Sequence, residues 1–183
     1  MLPSATRRLR RLVVVPVLLA AAAAPATASA AATCRGAGSS PAKLGEAGTR
    51  HATLCLLNRQ RAAHGLRPLR ADHRLAKAAL GHSKDMVAHR YFAHESRSGA
   101  PFTSRIARTG WTRSHRRYIL GENIGWGSGV LATPRAMVRA WMHSAPHRAN
   151  ILERGYRVIG IGVAFGVPVA GSGGATYSTD FGG

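Results

Sequence analysis

Val158-Ile159-Gly160-Ile161-Gly162-Val163-Ala164-Phe165 alternates apolar residues with small ones, the two-residue period of a strand. A second run, Ala175 to Phe181, follows it, and Gly166 to Gly174 supplies the turn between the two. A third, shorter strand around Glu122 to Trp126 completes a small sheet. Everything upstream reads as helix. A first helix from Thr49 to His64 is stopped by Gly65, with Leu54, Leu57 and Arg61 on one face and the Arg61 stem snorkelling. A second starts after Asp72, a good N-cap, and buries Leu75, Ala79, His82 and Met86 at helical spacing. A short third has Pro101 in its first turn, pairs Phe102 with Ile106 and ends at Gly110. The fourth opens on Thr133-Pro134, turns Met137, Val138 and Trp141 inward and is ended by Pro146. Helices early and strands late predict an α+β fold rather than a doubly wound sheet.

The N-terminus stands apart from this. Arg7, Arg8, Arg10 and Arg11 precede an apolar run, Leu12 to Ala24, that is short for a bilayer span, and Ala28-Ser29-Ala30 offers a small-residue cleavage site. Residues 1–30 therefore read as a secretory signal peptide, 31–48 as a flexible lead rich in Ala, Gly, Ser and Pro, and 49–183 as one domain. No later segment is long and apolar enough to span a membrane. The two cysteines, Cys34 and Cys55, are expected to form a disulfide in an exported chain. Lys and Arg number 26 against 7 Asp and Glu, and four of the arginines lie in the leader. An exported basic protein meets no genome, so nucleic acid is excluded as a natural partner. An anionic cell-wall polymer or lipid headgroup suits the charge. The scarcity of lysine beside abundant Arg, Ala and Gly also fits a compositional bias without any such partner. The chain is expected to act as a monomer.

Three segments place a metal- or proton-capable side chain in an apolar or aromatic setting: Tyr91-Phe92-Ala93-His94, Gly121-Glu122-Asn123-Ile124, and Trp141-Met142-His143-Ser144-Ala145-Pro146-His147-Arg148-Ala149-Asn150-Ile151. Their order and wording resemble the CAP superfamily of cysteine-rich secretory proteins, venom antigens and plant pathogenesis-related proteins, which also has many bacterial secreted members. The resemblance runs from about Thr53 to the C-terminus. It takes in Leu56-Leu57-Asn58-Arg59-Gln60-Arg61, Gly65-Leu66-Arg67-Pro68-Leu69, His82-Ser83-Lys84-Asp85-Met86 and Tyr177-Ser178-Thr179-Asp180-Phe181-Gly182. It implies a three-layer α-β-α sandwich around a small, mostly antiparallel sheet. It further implies a central cavity in which His94, Glu122 and His147 match residues that bind a divalent metal such as zinc in some members. Where animal members carry a second cavity glutamate, this chain has Ser144, a feeble ligand, so any metal is expected to be held weakly.

Several roles stay open on the sequence. His94, Glu122 and His147 serve either as a metal set or as loop-fixing hydrogen-bond groups. Asn123 and Asn150 read as backbone-bonding residues across the cleft, and Arg148 as an anion holder or a partner for Glu122. His82 reads as a hydrogen-bonded core histidine. His51, His64, His73, His89 and His115 read as surface. Arg113, Arg116 and Arg117 form a basic loop just before Glu122. No Gly-x-Ser-x-Gly elbow is present, and nothing in the sequence orients His147 for a nucleophilic Ser144. Two functions follow. One is a secreted binding protein with a small ligand or lipid in its groove. The other is a metal-dependent hydrolase using Glu122 as base.

Overall fold

The computed structural model describes residues 33–183; the expected signal peptide, residues 1–30, lies outside them. The chain runs α1 (Pro41–Ala63), β1 (Arg70–Ala71), α2 (His73–His89), α3 (Phe102–Arg108), β2 (Leu120–Gly127), α4 (Pro134–His143), α5 (Ala145–Leu152), β3 (Val158–Phe165) and β4 (Ala175–Gly182). The sheet order is β1-β3-β4-β2, with β2 and β3 antiparallel to β4 and the two-residue β1 parallel to β3. The fold is α+β. No helix among the described residues is long and apolar enough to cross a membrane.

Alternation along the strands sorts side chains to two helical layers. On one face Ile159, Ile161, Val163, Tyr177 and Phe181 form a core with Leu57 of α1, Met137, Val138 and Trp141 of α4, and Ile151 of α5. On the other face Gly160 and Gly162 lie under α2. A Cβ built on Gly160 would come within 2.0 Å of the Leu75 carbonyl carbon, and one on Gly162 within 2.2 Å of the Leu80 nitrogen. Only glycine admits a helix backbone that close. Leu75 and Ala78 of α2 then pack with Ile106 of α3 and Trp111.

The main helix starts differ from expectation for one reason. Ser40 accepts a bond from the Lys43 N–H and Pro41 enters the first turn, so α1 begins at Pro41 rather than Thr49 and bends at Gly45 (φ 69°). Residues 41–48, read as lead, are therefore helical. Ahead of them Cys34 and Ala37 are buried, and the Ala37 carbonyl accepts from the Arg135 N–H at 2.8 Å. Cys34 and Cys55 are disulfide-bonded, as expected, across 21 residues of sequence. Likewise Pro146 does not end α4. That helix closes at His143, and Pro146 sits in the first turn of α5, where its missing N–H costs nothing. Pro101 is the N-cap of α3 rather than a helical residue. The sheet holds one strand more than expected, β1.

Arg61 does not snorkel. It is 1 % exposed and donates to the carbonyls of Arg67, Ile151, Glu153 and Tyr156, joining the end of α1 to the α5–β3 connection. His82, Asp72, and the stripe Leu75, Ala79 and Met86 stand as the sequence implies.

Candidate functional site

β2 is the edge strand, and its consecutive residues Glu122 and Asn123 turn to opposite faces of the sheet. Glu122 faces α2 and α3. Its side chain is 1 % exposed, and both oxygens are occupied: His94 Nδ1 donates to Oε1 at 2.8 Å and Arg105 Nη2 donates to Oε2. Arg105, from α3, also donates to the His94 carbonyl at 2.9 Å. His82 bonds the neighbouring Ala93 carbonyl at 2.9 Å through Nε2. The His94 loop is thus pinned at two successive carbonyls, and the imidazole is held against a carboxylate. The His94 pKa is raised, first by its hydrogen bond to Glu122, with burial pulling the other way.

Asp180 stands opposite Glu122 in the β2–β4 register and is fully buried. Neither of its oxygens meets a fixed donor among the described residues. Burial, and then the Glu122 charge, push its carboxyl well above the ordinary carboxylate range, with Arg105 opposing. A protonated Asp180 carboxyl can donate to Glu122, a partner that the charged form lacks.

On the other face the holding groups are neutral. Asn150 Nδ2 donates to the Glu122 carbonyl at 3.0 Å and to Asn123 Oδ1 at 2.9 Å, while Asn123 Nδ2 donates to the His147 carbonyl at 3.1 Å. These bonds hang α5 on β2 and carry His147 to the strand edge. Its Nδ1 bonds Ser144 Oγ at 2.7 Å, a side-chain link across the first turn of α5. The His147 pKa is lowered, by burial first and by the neighbouring His94 second. His94 and His147 are thus tied to β2 from different helical layers.

Among the described residues, no group of three or more His, Cys, Asp or Glu side chains is set to hold one metal ion. The geometry gives the reason. Glu122 is spent on His94 and Arg105, and the Ser144 hydroxyl on His147. Both rings are engaged through Nδ1, and no hydrogen bond among the described residues uses either Nε2. Glu122 lies behind His94 as its orienting carboxylate rather than beside it as a ligand. Arg148 does not pair with Glu122; it is exposed, its Nη2 lies 3.5 Å from His64 Nε2, and Arg105 has the role instead. Arg105 and Asp180 are the residues the sequence reading missed. Arg105 precedes the buried Ile106 on a short helix, and Asp180 falls on a strand position buried on both sides. A charged residue at either kind of position needs a partner. His115, read as surface, stacks on Trp111 at 4.0 Å between ring centroids.

The pattern of the cysteine-rich secretory protein family, CAP, matches residues 54–168, and the chain belongs to that family. It is 39 % identical over 108 residues to the uncharacterized protein YkwD of Bacillus subtilis (strain 168), covering 58 % of this chain and 39 % of YkwD. It is 34 % identical over 111 residues to the uncharacterized membrane protein YlbC of the same organism, covering 60 % of this chain and 30 % of YlbC. The chain thus spans less than half the length of either relative. Among solved structures it resembles an extracellular protein containing a SCP domain from Bacillus anthracis str. Ames, with TM-score 0.60, 28 % identity, 74 % of this chain and 40 % of that one covered. An outer surface protein from Borrelia burgdorferi shares the fold, with TM-score 0.58 at 18 % identity over 69 % of this chain and 86 % of that one.

Proposed function

We propose that the protein is an exported binding protein whose cleft takes a small polar ligand between His94 and His147. The observation that carries this reading is the double engagement of Glu122. A carboxylate that is 1 % exposed and bonded on both oxygens is not free to activate water or to ligate a metal. It can hold the His94 ring, leaving Nε2 as an oriented hydrogen-bonding group. His147 Nε2, in the first turn of α5, is the second. The leader-like N-terminus and the likeness to an extracellular SCP-domain protein support the export part of this reading.

The second reading, a metal-dependent hydrolase on His94, Glu122 and His147, is tested in the same experiment. Protein secreted from its native host is assayed for metal content, its bound small molecules are extracted, and those molecules are titrated by calorimetry onto wild type, His94→Ala and His147→Ala. The binding reading expects a stoichiometric organic ligand, substoichiometric metal, and affinity reduced at least about tenfold in both variants. Stoichiometric zinc, with chelator-sensitive hydrolysis that His94→Ala abolishes, hands the site to the hydrolase. Zinc added back is expected to bind weakly, and more weakly at pH 5.5 than at pH 7.5, because protons compete with the metal for the imidazoles, first at His94, whose pKa is raised, and at lower pH at His147, whose pKa is lowered.

A further inference from the structure

The far edge of the sheet has an unfinished ladder. β1 pairs only with Val158 and Ile159, and after the Asp72 N–H donates to the Ile159 carbonyl at 2.9 Å the chain turns away into α2. The phase beyond that point is set from the opposite edge. Ile119 and Gly183 exchange both main-chain bonds, at 2.9 and 3.2 Å, so odd-numbered residues of β4 bond β2 and even-numbered ones bond β3. In the β3–β4 register the even residues Gly160 and Gly162 meet β4, and Ile161 and Val163 direct their N–H and C=O groups outward. No main-chain or side-chain bond engages those groups among the described residues, and Ile161 and Val163 line the groove on that side. A row of unpaired strand N–H and C=O groups is a ready template for pairing with another extended chain.

The edge lies at the bottom of a groove. A cavity of about 670 Å³ runs between Leu54 of α1 and Leu80 of α2 above Ile161. A second, of about 430 Å³, reaches Val163 and Phe165. The rim is basic. Lys77 and Lys84 have no ion-pair partner among the described residues, whereas Arg50 is held by Glu46, and the Asp72 carboxylate caps the first turn of α2. His51 and His73 line the same rim. An aliphatic chain would fill the apolar walls but leave four main-chain groups unpaired. A strand satisfies them, because it offers donors and acceptors alternately at the neighbouring-strand spacing. We propose that the β3 edge between α1 and α2 is a strand-addition site for an extended peptide bearing acidic side chains. The site is separate from the His94 cleft and does not depend on the function proposed for it.

The test uses the purified protein and an acetylated, amidated octapeptide of alternating valine and glutamate. Calorimetry should show saturable binding. Amide exchange by NMR should slow at least tenfold at Ile161 and Val163, with β2 amides unchanged. Methylating alternate peptide nitrogens should abolish binding in one of the two phases and spare it in the other, since only one phase faces β3. Lys77→Glu with Lys84→Glu should weaken binding at least tenfold, and Ala47→Trp, an exposed wall position, should block it. Two outcomes overturn the proposal. One is hexadecanoate occupying the groove and displacing the peptide without protecting either amide. The other is Ile161 and Val163 amides that already exchange as slowly as those of Gly160 and Gly162 in the free protein and do not respond to peptide.

Discussion

Glu122 and Asn123 are neighbours on one strand, yet they anchor opposite layers by different physics. On the α2/α3 side the anchor is charge: Arg105, Glu122 and His94 pair around a buried Asp180. On the α4/α5 side it is neutral amide bonding by Asn123 and Asn150. Charge pairs in low dielectric are costly to break and sensitive to pH, whereas amide bonds are modest and indifferent to it. The charged anchor of Glu122 should therefore respond to pH, and the amide anchor of Asn123 and Asn150 should not.

The largest effect expected is from Arg105→Ala, which strands the Glu122 charge. It should cost about 3–5 kcal/mol in urea unfolding. Adding Glu122→Gln should recover much of that loss. Full additivity of the two would show that they are not coupled. Next comes Cys55→Ser, which opens a loop of 21 residues and should cost about 3 kcal/mol while leaving the His94 and His147 resonances in place. Thiol labelling of the unreduced, denatured wild type should find no free cysteine. Asn150→Ala should cost about 1–2 kcal/mol, equally at pH 5 and pH 8; a pH-dependent cost would erase the contrast between the layers.

Asp180→Asn should change the slope of stability with pH more than its level. With a folded pKa raised above the unfolded value of about 3.9, Asp180 contributes stability in full below that value and loses it as pH rises through the folded pKa. The variant should lack this decline and unfold about 1 kcal/mol later than wild type at pH 8. The smallest effect is spectroscopic. His94 should titrate above about 6.5 and His147 below it. Its raised pKa means that His94 adds stability that is full below about 6.5 and lost as pH rises through its folded value. His147, shifted downward, contributes in the opposite sense, losing stability as pH falls below about 6.5. Glu122→Gln should return His94 toward its ordinary value and barely move His147.

The sequence made the scaffold legible wherever one residue has one local meaning. Asp72 before an apolar stripe and the alternation of Val158 to Phe165 both named their elements. It misled where a residue has two. Proline stops a helix in its interior and starts one in its first turn, so Pro146 reads as an end although it opens α5, whereas Ser40-Pro41 and Thr133-Pro134 both open helices. In the site, His94, Glu122 and His147 stood out because their motifs are local. Arg105 and Asp180 did not, because a cross-strand register and a helix laid over an edge strand bring them to Glu122, and neither relation is written in spacing. β1 was missed because two residues carry no period.

The glycines at 160 and 162 make an ordinary stabilising strategy backfire. Replacing glycine by alanine usually raises a melting temperature by restricting the unfolded chain. Here the added methyl would lever α2 off the sheet, and α2 carries His82, whose bond to Ala93 sets the height of the His94 ring. Gly162→Ala should therefore shift the His94 resonances although it lies on another strand. A thermostabilised form of this protein is better sought in its turns than along its most regular strand.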